Sequence, residues 1–303
     1  MPKVFITTKI PEKGIEFLKM EGYQVEIGQL KNAKGAHALL CMLVDTIDAR
    51  TMDVIGSQLK VISNMAVGLD NVDLEAAKQR GIKVTNTPDV LTGAVAEHTV
   101  ALTLGIARRI AEADRFVRQG KFKGWDPLLL LGTELAGKVF GIVGHGRIGC
   151  RVADIMQKGF GMSVIYFDAV RDEAKESQCG IRYSQLDNLL KEADVVSLHV
   201  PLLPSTRHMI GEKELKMMKK TAYLINTARG AVVDEKALVL ALKEKWIAGA
   251  ALDVFEKEPA LSPGLASLQN VVLTPHIASA TKEAREHMAE LAAQNIIAVL
   301  GRT

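Results

Sequence analysis

Cysteine, aromatic residues and long apolar runs are all scarce in this sequence. Among 303 residues there are three cysteines, Cys41, Cys150 and Cys179, and they form no C-x-x-C pair. Such spacing indicates neither a disulfide framework nor a thiolate metal site, and we predict no metal ligands. No stretch reaches the roughly 18 uninterrupted apolar residues of a membrane-spanning helix, and no signal-type segment opens the chain. We therefore expect a cytoplasmic protein with no membrane partner.

An excess of either charge is also lacking. The chain has 38 Lys and Arg residues against 35 Asp and Glu residues, which gives a formal net charge of +3. A nucleic-acid-binding surface usually needs a more concentrated positive charge, so we expect no nucleic-acid partner. What is abundant is apolar material, since 48% of the residues are hydrophobic. At roughly 150 residues per domain, the length predicts two domains, each with its own core.

Short β-branched runs alternate with amphipathic segments along the chain, which predicts parallel α/β sheets. One helix from residue 93 to about residue 118 is expected to separate two series of strands, and a final amphipathic helix is expected over 282–300. The predicted strands are 4–7, 25–27, 38–43 and 61–63 in the first series and 139–143, 163–167, 195–198, 222–226, 248–252 and 271–273 in the second. The fold class is therefore α/β, with two Rossmann-like doubly wound domains.

A glycine-rich turn follows the first strand of the second series. Gly144, Gly146 and Gly149 form a G-x-G-x-x-G pattern between a buried-strand run and a helical segment. In this setting the first glycine permits the tight turn, the second admits a pyrophosphate, and the third lets the helix pack closely on the strand. The amides of Arg147 and Ile148 at the helix N-terminus should face phosphate. The pattern predicts a dinucleotide site.

An acidic residue ends the next strand. Asp168 lies 19 residues after Gly149, where a carboxylate can accept hydrogen bonds from the adenosine ribose and would repel a 2′-phosphate. This favours NAD(H) over NADP(H). Arg171 leaves the choice open, because an arginine three residues further on could reach a 2′-phosphate, although such a residue is more often solvated.

Three polar residues follow predicted strands of the second series. Arg229 can hold a carboxylate through its bidentate guanidinium, and His276 can exchange a proton near neutral pH. Glu258 can hydrogen-bond the imidazole and favour its protonated form. Each residue alone is more often a surface or loop residue. Together, beside a dinucleotide turn, they predict a proton-donating receptor for an anionic carbonyl compound.

Several segments resemble the D-isomer-specific 2-hydroxyacid dehydrogenase family over nearly the whole chain, and glyoxylate and hydroxypyruvate reductases most. The matching segments are Ala66–Asp73, Gly144–Gly149, His199–Pro204, Asn226–Asp234, Leu252–Pro259 and Thr274–Ala278. The resemblance implies an NAD(H)-dependent reductase of a small 2-oxo acid, with glyoxylate or hydroxypyruvate as first choice and a D-2-hydroxy acid as product.

Residue roles follow from the same resemblance. His276 would be the catalytic acid and base, Glu258 its support, and Arg229 the substrate anchor together with the backbone amides of Val67 and Gly68. The implied cofactor-binding set extends beyond the glycine turn: Thr99, Gly144, Gly146, Arg147, Ile148, Gly149, Asp168, Val200, Pro201, Thr227, Ala228, Arg229, Asp253, His276 and Ala278. His98, His145 and His199 are interpreted as packing or loop residues.

The family architecture implies two domains with an active-site cleft between them. The substrate-binding domain would comprise residues 1–98 and 280–303, and the NAD-binding Rossmann domain residues 99–279. The apolar residues of the segment 122–135 form either an exposed patch or an interface, and the resemblance to the family favours a homodimer. Three alternatives stay open: a D-lactate dehydrogenase, a D-3-phosphoglycerate dehydrogenase, and a corepressor-like binding protein that senses NADH.

Overall fold

The computed structural model describes residues 1–301, and these divide into two compact units. One comprises Met1–Thr92 and the segment that begins at Ser279, and the other comprises Gly93–Ala278. Each unit contains a parallel sheet with helices, which confirms the predicted fold class. The division predicted from the sequence, 1–98 with 280–303 and 99–279, places the first boundary six residues later.

The first unit is built on a five-stranded sheet. Its strands are β1 (Lys3–Ile6), β2 (Gln24–Ile27), β3 (Ala38–Cys41), β4 (Val61–Asn64) and β5 (Lys83–Thr85), in the order β2-β1-β3-β4-β5. Helices α1 (Glu12–Met20), α2 (Ala49–Ile55) and α3 (Leu74–Gln79) connect them. Every residue of β3 and β4 is buried, as expected for parallel strands covered on both faces.

The second unit is built on a seven-stranded parallel sheet. Its strands are β6 (Val139–Val143), β7 (Ser163–Phe167), β8 (Arg182–Tyr183), β9 (Val195–Leu198), β10 (Tyr223–Asn226), β11 (Gly249–Leu252) and β12 (Val271–Leu273). Its helices are α4 (Thr92–Ala107), α5 (Ile110–Arg118), α6 (Arg147–Phe160), α7 (Glu173–Cys179), α8 (Leu186–Glu192), α9 (Glu212–Met217) and α10 (Glu235–Lys243). The strand order β12-β11-β10-β9-β6-β7-β8 reverses between β6 and β9, the point at which doubly wound sheets bind ligands.

The last helix, α11 (Lys282–Leu300), returns to the first unit. Its small residues allow close packing on α1: a Cβ on Gly14 would lie 2.7 Å from the Ala289 carbonyl oxygen. The buried Ser63 hydroxyl of β4 donates a 2.9 Å hydrogen bond to the Ala292 carbonyl. No helix among residues 1–301 is long and apolar enough to cross a membrane.

Three details of the predicted secondary structure were wrong. Two helices, α4 and α5, replace the expected single helix over 93–118. The break occurs because Arg109 adopts a left-handed conformation (φ +54°) and the Thr133 amide donates a 2.8 Å hydrogen bond to the Ala107 carbonyl. The short edge strands β5 and β8 were missed, since Lys83–Thr85 and Arg182–Tyr183 lack an apolar run. The strand predicted over 38–43 ends at Cys41, since the Met42 amide donates to the Asp45 carboxylate at 2.8 Å.

Candidate active site

The glycine turn between β6 and α6 is as tight as its sequence requires. Gly144 has φ +97°, and a Cβ there would lie 2.7 Å from the backbone carbonyl carbon of His199, which follows β9. A Cβ on Gly149 would lie 2.2 Å from the Gly144 carbonyl oxygen. Larger residues at either position would push the strand, the turn and the helix apart.

The same turn leaves room for a phosphate group. Gly146 is the N-cap of the 14-residue helix α6, is exposed, and has nothing within 4 Å of a Cβ built on it. Arg147 is exposed and Ile148 half-buried in the first turn of the helix, where amides lack intrahelical acceptors. Open space at a helix N-terminus fits the pyrophosphate of a dinucleotide.

Asp168 lies directly after β7 and is joined to the glycine turn. Its Oδ2 accepts a 2.7 Å hydrogen bond from the His145 amide. Both residues line an open cavity of ≈530 Å³ together with Tyr166, Val170, Arg171 and Lys175, among others. The carboxylate therefore lies at the end of β7 beside the glycine turn, and its role at the adenosine ribose stays a prediction.

Arg171 is held by carboxylates of its own segment. Its guanidinium donates to Glu176 at 2.7 and 3.0 Å and lies 3.3 Å from Glu173. The hydrogen bond from Arg171 lowers the pKa of Glu176, and Tyr166 adds a further hydrogen bond at 3.1 Å. The positive charge of Arg171 is thus paired within the segment that follows Asp168.

Arg229 lies in a turn after β10 that a buried side chain organises. Asn226, 1% exposed, donates from Nδ2 to the Arg229 carbonyl at 2.9 Å and accepts the Ala228 amide at Oδ1 at 3.0 Å. Gly230 follows in close contact with another loop, since a Cβ there would lie 1.9 Å from the Phe255 carbonyl carbon. Sequence reasoning gave Asn226 no role, although an Asn at a strand end is a recognisable turn signal.

Glu258 and His276 form a hydrogen-bonded pair. His276 Nδ1 lies 2.8 Å from Glu258 Oε2, while Oε1 accepts the Phe255 amide at 3.0 Å. Burial alone would raise the pKa of Glu258, but the hydrogen bonds from His276 and Phe255, with the charge of Arg229, keep it below its ordinary value. The carboxylate is therefore ionised at neutral pH, so Nδ1 carries the hydrogen and Nε2 is the nitrogen left for other chemistry.

Asp253 fastens the turn that carries His276. It is fully buried, and its side chain accepts the Ile277 and Ala278 amides at 2.9 and 2.7 Å and the Thr274 hydroxyl at 2.6 Å. Burial opposes its charge, yet these hydrogen bonds, with one from His98, keep the pKa of Asp253 below its ordinary value. The His276 amide also donates to the Asp253 carbonyl at 2.8 Å.

The remaining predicted cofactor residues lie at varied depth in this unit. Thr99 is fully buried on α4, with its hydroxyl 2.9 Å from that of Thr227, whereas Pro201 is exposed after β9. Ala228 and Val200 are half-buried. Burial lowers the pKa of His199 to about 3, and its ring lies 2.9 Å from the Ser197 hydroxyl.

Val67 and Gly68 belong to the first unit, in the loop after β4. The Val67 carbonyl accepts a 2.8 Å hydrogen bond from Asn86, and the Gly68 carbonyl accepts one of 2.8 Å from the buried Asn64. The side-chain amides of two asparagines therefore donate hydrogen bonds to the two carbonyls of this loop. Val67 itself is 39% exposed.

Glu235 is a further residue that sequence reasoning missed. It is 4% exposed at the start of α10, and its carboxylate accepts the Ser262 amide at 2.9 Å and the Glu256 amide at 3.4 Å. It therefore holds both ends of the loop that carries Glu258. Its Asp-Glu sequence resembles an ordinary helix start, and Asp234 does cap α10, so the pattern carried no signal for the second carboxylate.

The geometry of the second unit agrees with what comparison of the sequence shows. The model of the D-isomer specific 2-hydroxyacid dehydrogenase NAD-binding domain matches residues 100–278. The chain belongs to the D-isomer specific 2-hydroxyacid dehydrogenase family. It is thus an oxidoreductase with a nicotinamide-dinucleotide-binding domain, as the sequence predicted.

This chain is similar to named relatives in sequence and to known crystal structures in fold. A glyoxylate reductase of Thermococcus litoralis is 52% identical, with 98% of this chain and 93% of the relative covered. The crystal structure of an NADPH-dependent glyoxylate/hydroxypyruvate reductase from Sinorhizobium meliloti is similar with a TM-score of 0.89, 33% identity and coverage of 99% and 94%. The crystal structure of a D-lactate dehydrogenase from Aquifex aeolicus, complexed with NAD and lactic acid, is similar with a TM-score of 0.86 and 33% identity. The match covers 98% of this chain and 94% of that chain.

Proposed function

We propose that this dehydrogenase reduces glyoxylate, or hydroxypyruvate as second choice, with NADH, and that a chiral product has the D configuration. The observation that carries the proposal is the 2.8 Å Glu258–His276 pair in a unit that also holds the dinucleotide turn and Arg229. The relative from Thermococcus litoralis, 52% identical and named a glyoxylate reductase, supports the choice of substrate.

Arg229 is proposed to bind the substrate carboxylate. A guanidinium offers two parallel N–H donors to a carboxylate, and this fork orients the acid as well as neutralising it. The Asn226 hydrogen bonds to the turn fix the backbone from which Arg229 projects. The amides of Val67 and Gly68 would add uncharged donors to the same carboxylate.

His276 is proposed to donate the proton that the carbonyl oxygen takes up during reduction. Because Glu258 accepts from Nδ1, the protonated imidazole is stabilised and its Nε2–H is the hydrogen available to substrate. In the oxidative direction neutral Nε2 would accept the hydroxyl proton. Glu258 remains ionised throughout and acts on the orientation and charge of the ring.

The nicotinamide cofactor, when bound, supplies or accepts the hydride. The chain would hold it by the α6 N-terminus at the pyrophosphate and by Asp168 at the ribose. Asp253 would accept a hydrogen bond from the nicotinamide amide, with Thr99, Val200, Pro201, Thr227, Ala228 and Ala278 lining the remainder.

Two observations support NADH over NADPH. Asp168 places a carboxylate beside the glycine turn, where it would repel a 2′-phosphate. The two cations of the same cavity are already paired, Arg171 with Glu176 and Glu173 and Lys175 with Asp172. A 2′-phosphate would have to compete with both carboxylates for the guanidinium.

We also propose that the protein is a homodimer. Phe122, Trp125, Leu128 and Leu131 are 55%, 85%, 75% and 61% exposed in one segment, and an apolar surface of this kind is typical of an interface. Light scattering should give twice the chain mass, and Trp125→Asp should weaken the assembly. A wild-type mass of one chain would contradict the proposal.

The function is tested by following NADH or NADPH consumption with glyoxylate, hydroxypyruvate, pyruvate and phosphohydroxypyruvate. We expect the largest kcat/KM with NADH and glyoxylate. A preference for pyruvate or phosphohydroxypyruvate would instead indicate a D-lactate or D-3-phosphoglycerate dehydrogenase. NADH binding without turnover of any of the four acids would favour the NADH-sensing alternative.

A further inference from the structure

His98 contacts the carboxylate that fastens the His276 turn. From α4, its Nε2 lies 3.1 Å from the Thr274 hydroxyl and 3.4 Å from Asp253 Oδ1. Thr274 already gives its only hydroxyl hydrogen to Asp253 at 2.6 Å, and an ionised carboxylate has none to give. His98 Nε2 must therefore carry a hydrogen and donate it to this pair.

The Thr274–Asp253 pair that receives this hydrogen bond controls the backbone on both sides of His276. Asp253 takes the side-chain hydrogen of Thr274 on one side and the amides of Ile277 and Ala278 on the other. His276 itself has φ +55°, a left-handed conformation that residues other than glycine seldom adopt. The conformation persists because the surrounding hydrogen bonds hold it.

We propose that His98 is a positioning residue, whose Nε2–H holds the Thr274 hydroxyl against the Asp253 carboxylate and so sets the Thr274–Ala278 turn for cofactor binding and proton transfer. The inference rests on the proposed function, since it concerns how His276 and Asp253 are held for it. His98 itself is not among the residues predicted to contact the cofactor or the substrate. Without His98 the Thr274 hydroxyl oxygen loses its donor, and the one hydrogen bond that ties this turn to α4 through Thr274 and Asp253 is gone.

Two substitutions separate the hydrogen bond from the volume of the side chain. His98→Phe keeps a ring of similar size without the N–H, and His98→Gln keeps a donor near the position of Nε2. The dissociation constant of NADH is measured by fluorescence without any 2-oxo acid, kcat and KM are measured with glyoxylate, and Tm is measured for each variant.

We expect His98→Phe to weaken NADH binding and to lower kcat by about tenfold each, the range of one hydrogen bond to a charged group. KM for glyoxylate should stay within about twofold of the wild-type value, because Arg229 is untouched. His98→Gln should recover both quantities to within about threefold of wild type. The exposed His287 of α11 provides a matched control, His287→Phe, with wild-type values throughout.

A packing role alone would give the reverse pattern. His98→Phe would then match wild type, or His98→Gln would be as impaired as His98→Phe, and either result overturns the proposal. The NADH arm does not depend on the substrate. If the wild-type protein binds NADH but reduces no tested acid, the proposed function fails while the binding constants still decide the role of His98.

Discussion

The charge of Glu258 decides how His276 can act. The pKa of this carboxyl is depressed, so its hold on the imidazole is complete above the ordinary carboxyl pKa and is lost only as pH falls through the depressed value. Over the neutral range, therefore, Glu258 keeps its charge, and a change in activity with pH does not arise from this carboxyl. The 2.8 Å contact makes the two residues one acid–base unit.

Glu258→Gln should show, in the pH dependence of kcat, whether Glu258 and His276 act together. Gln keeps a hydrogen-bond acceptor but removes the negative charge, so the protonated imidazole that reduction requires is less favoured. We expect kcat at pH 7 to fall by about tenfold to a hundredfold, and the basic limb of the reductive kcat profile to move to lower pH. A profile that keeps its wild-type midpoint would contradict this role for Glu258.

Arg229→Lys should show whether the guanidinium fork matters beyond its charge. Lysine retains the positive charge but cannot donate two parallel hydrogen bonds to a carboxylate. We expect kcat/KM for glyoxylate to fall at least about a hundredfold, or about 2.7 kcal/mol of transition-state stabilisation, with a smaller loss of NADH affinity. Arg207→Lys, at an exposed position after β9, is the matched control. Equal kcat/KM for Arg229→Lys and wild type would exclude a bidentate anchor.

At the scale of elements, strand order brings the site together. Arg229 follows β10, Asp253 and Glu258 follow β11, and His276 follows β12. These three strands are neighbours in the sheet, and all of them run parallel. Because parallel strands present their carboxyl ends at one edge, residues far apart in sequence meet there without any long-range loop.

Gly230→Ala tests the closest contact between two of those strand-end loops. An alanine Cβ would lie 1.9 Å from the Phe255 carbonyl carbon, so the Arg229 turn or the Glu258 loop must move. We expect a loss of more than about 2 kcal/mol of unfolding free energy and of most activity. On α4, a Cβ on Gly105 meets nothing within 4 Å, so Gly105→Ala should be neutral or stabilise the fold. Both variants are compared by chemical denaturation. Similar midpoints for Gly230→Ala and Gly105→Ala would contradict the expected strain.

Sequence reasoning recovered the elements that have apolar runs and missed those that do not. The strands from β6 to β12 other than β8 were predicted within one residue, because each is a buried apolar segment. The break at Arg109 was missed since neither glycine nor proline marks it, and it depends on Thr133 reaching the Ala107 carbonyl.

The same limit applies to the candidate site. Gly144, Arg229 and His276 can be predicted from strand-end positions, because parallel topology turns local sequence into location. Asn226 carries only a general turn signal, and Glu235 and His98 cannot be predicted, since their partners lie on other elements or loops. Glu235 is buried and His98 partly buried, and tertiary contacts of this kind leave no periodic pattern.

At the scale of the whole molecule, thermal unfolding should distinguish the two dinucleotides. A ligand that binds only the folded state stabilises it by about 2.7 kcal/mol at a hundredfold excess over its Kd. For a chain of this size that corresponds to a rise in Tm of about 4 °C. Because Asp168 is proposed to contact the adenosine ribose and Arg171 is paired, we expect NADH to raise Tm by more than NADPH at equal concentration.

Asp168→Ser assigns the cause of that difference. Without the carboxylate the repulsion of a 2′-phosphate disappears, so the shift with NADPH should increase while that with NADH decreases, and the two should converge. Asp187→Ser, at an exposed position of α8, controls for the loss of one negative charge and should keep the wild-type difference. If NADPH stabilised the wild-type protein as much as NADH does, the paired Arg171 would have to release Glu176 on binding, and Asp168 would not be the residue that selects the cofactor.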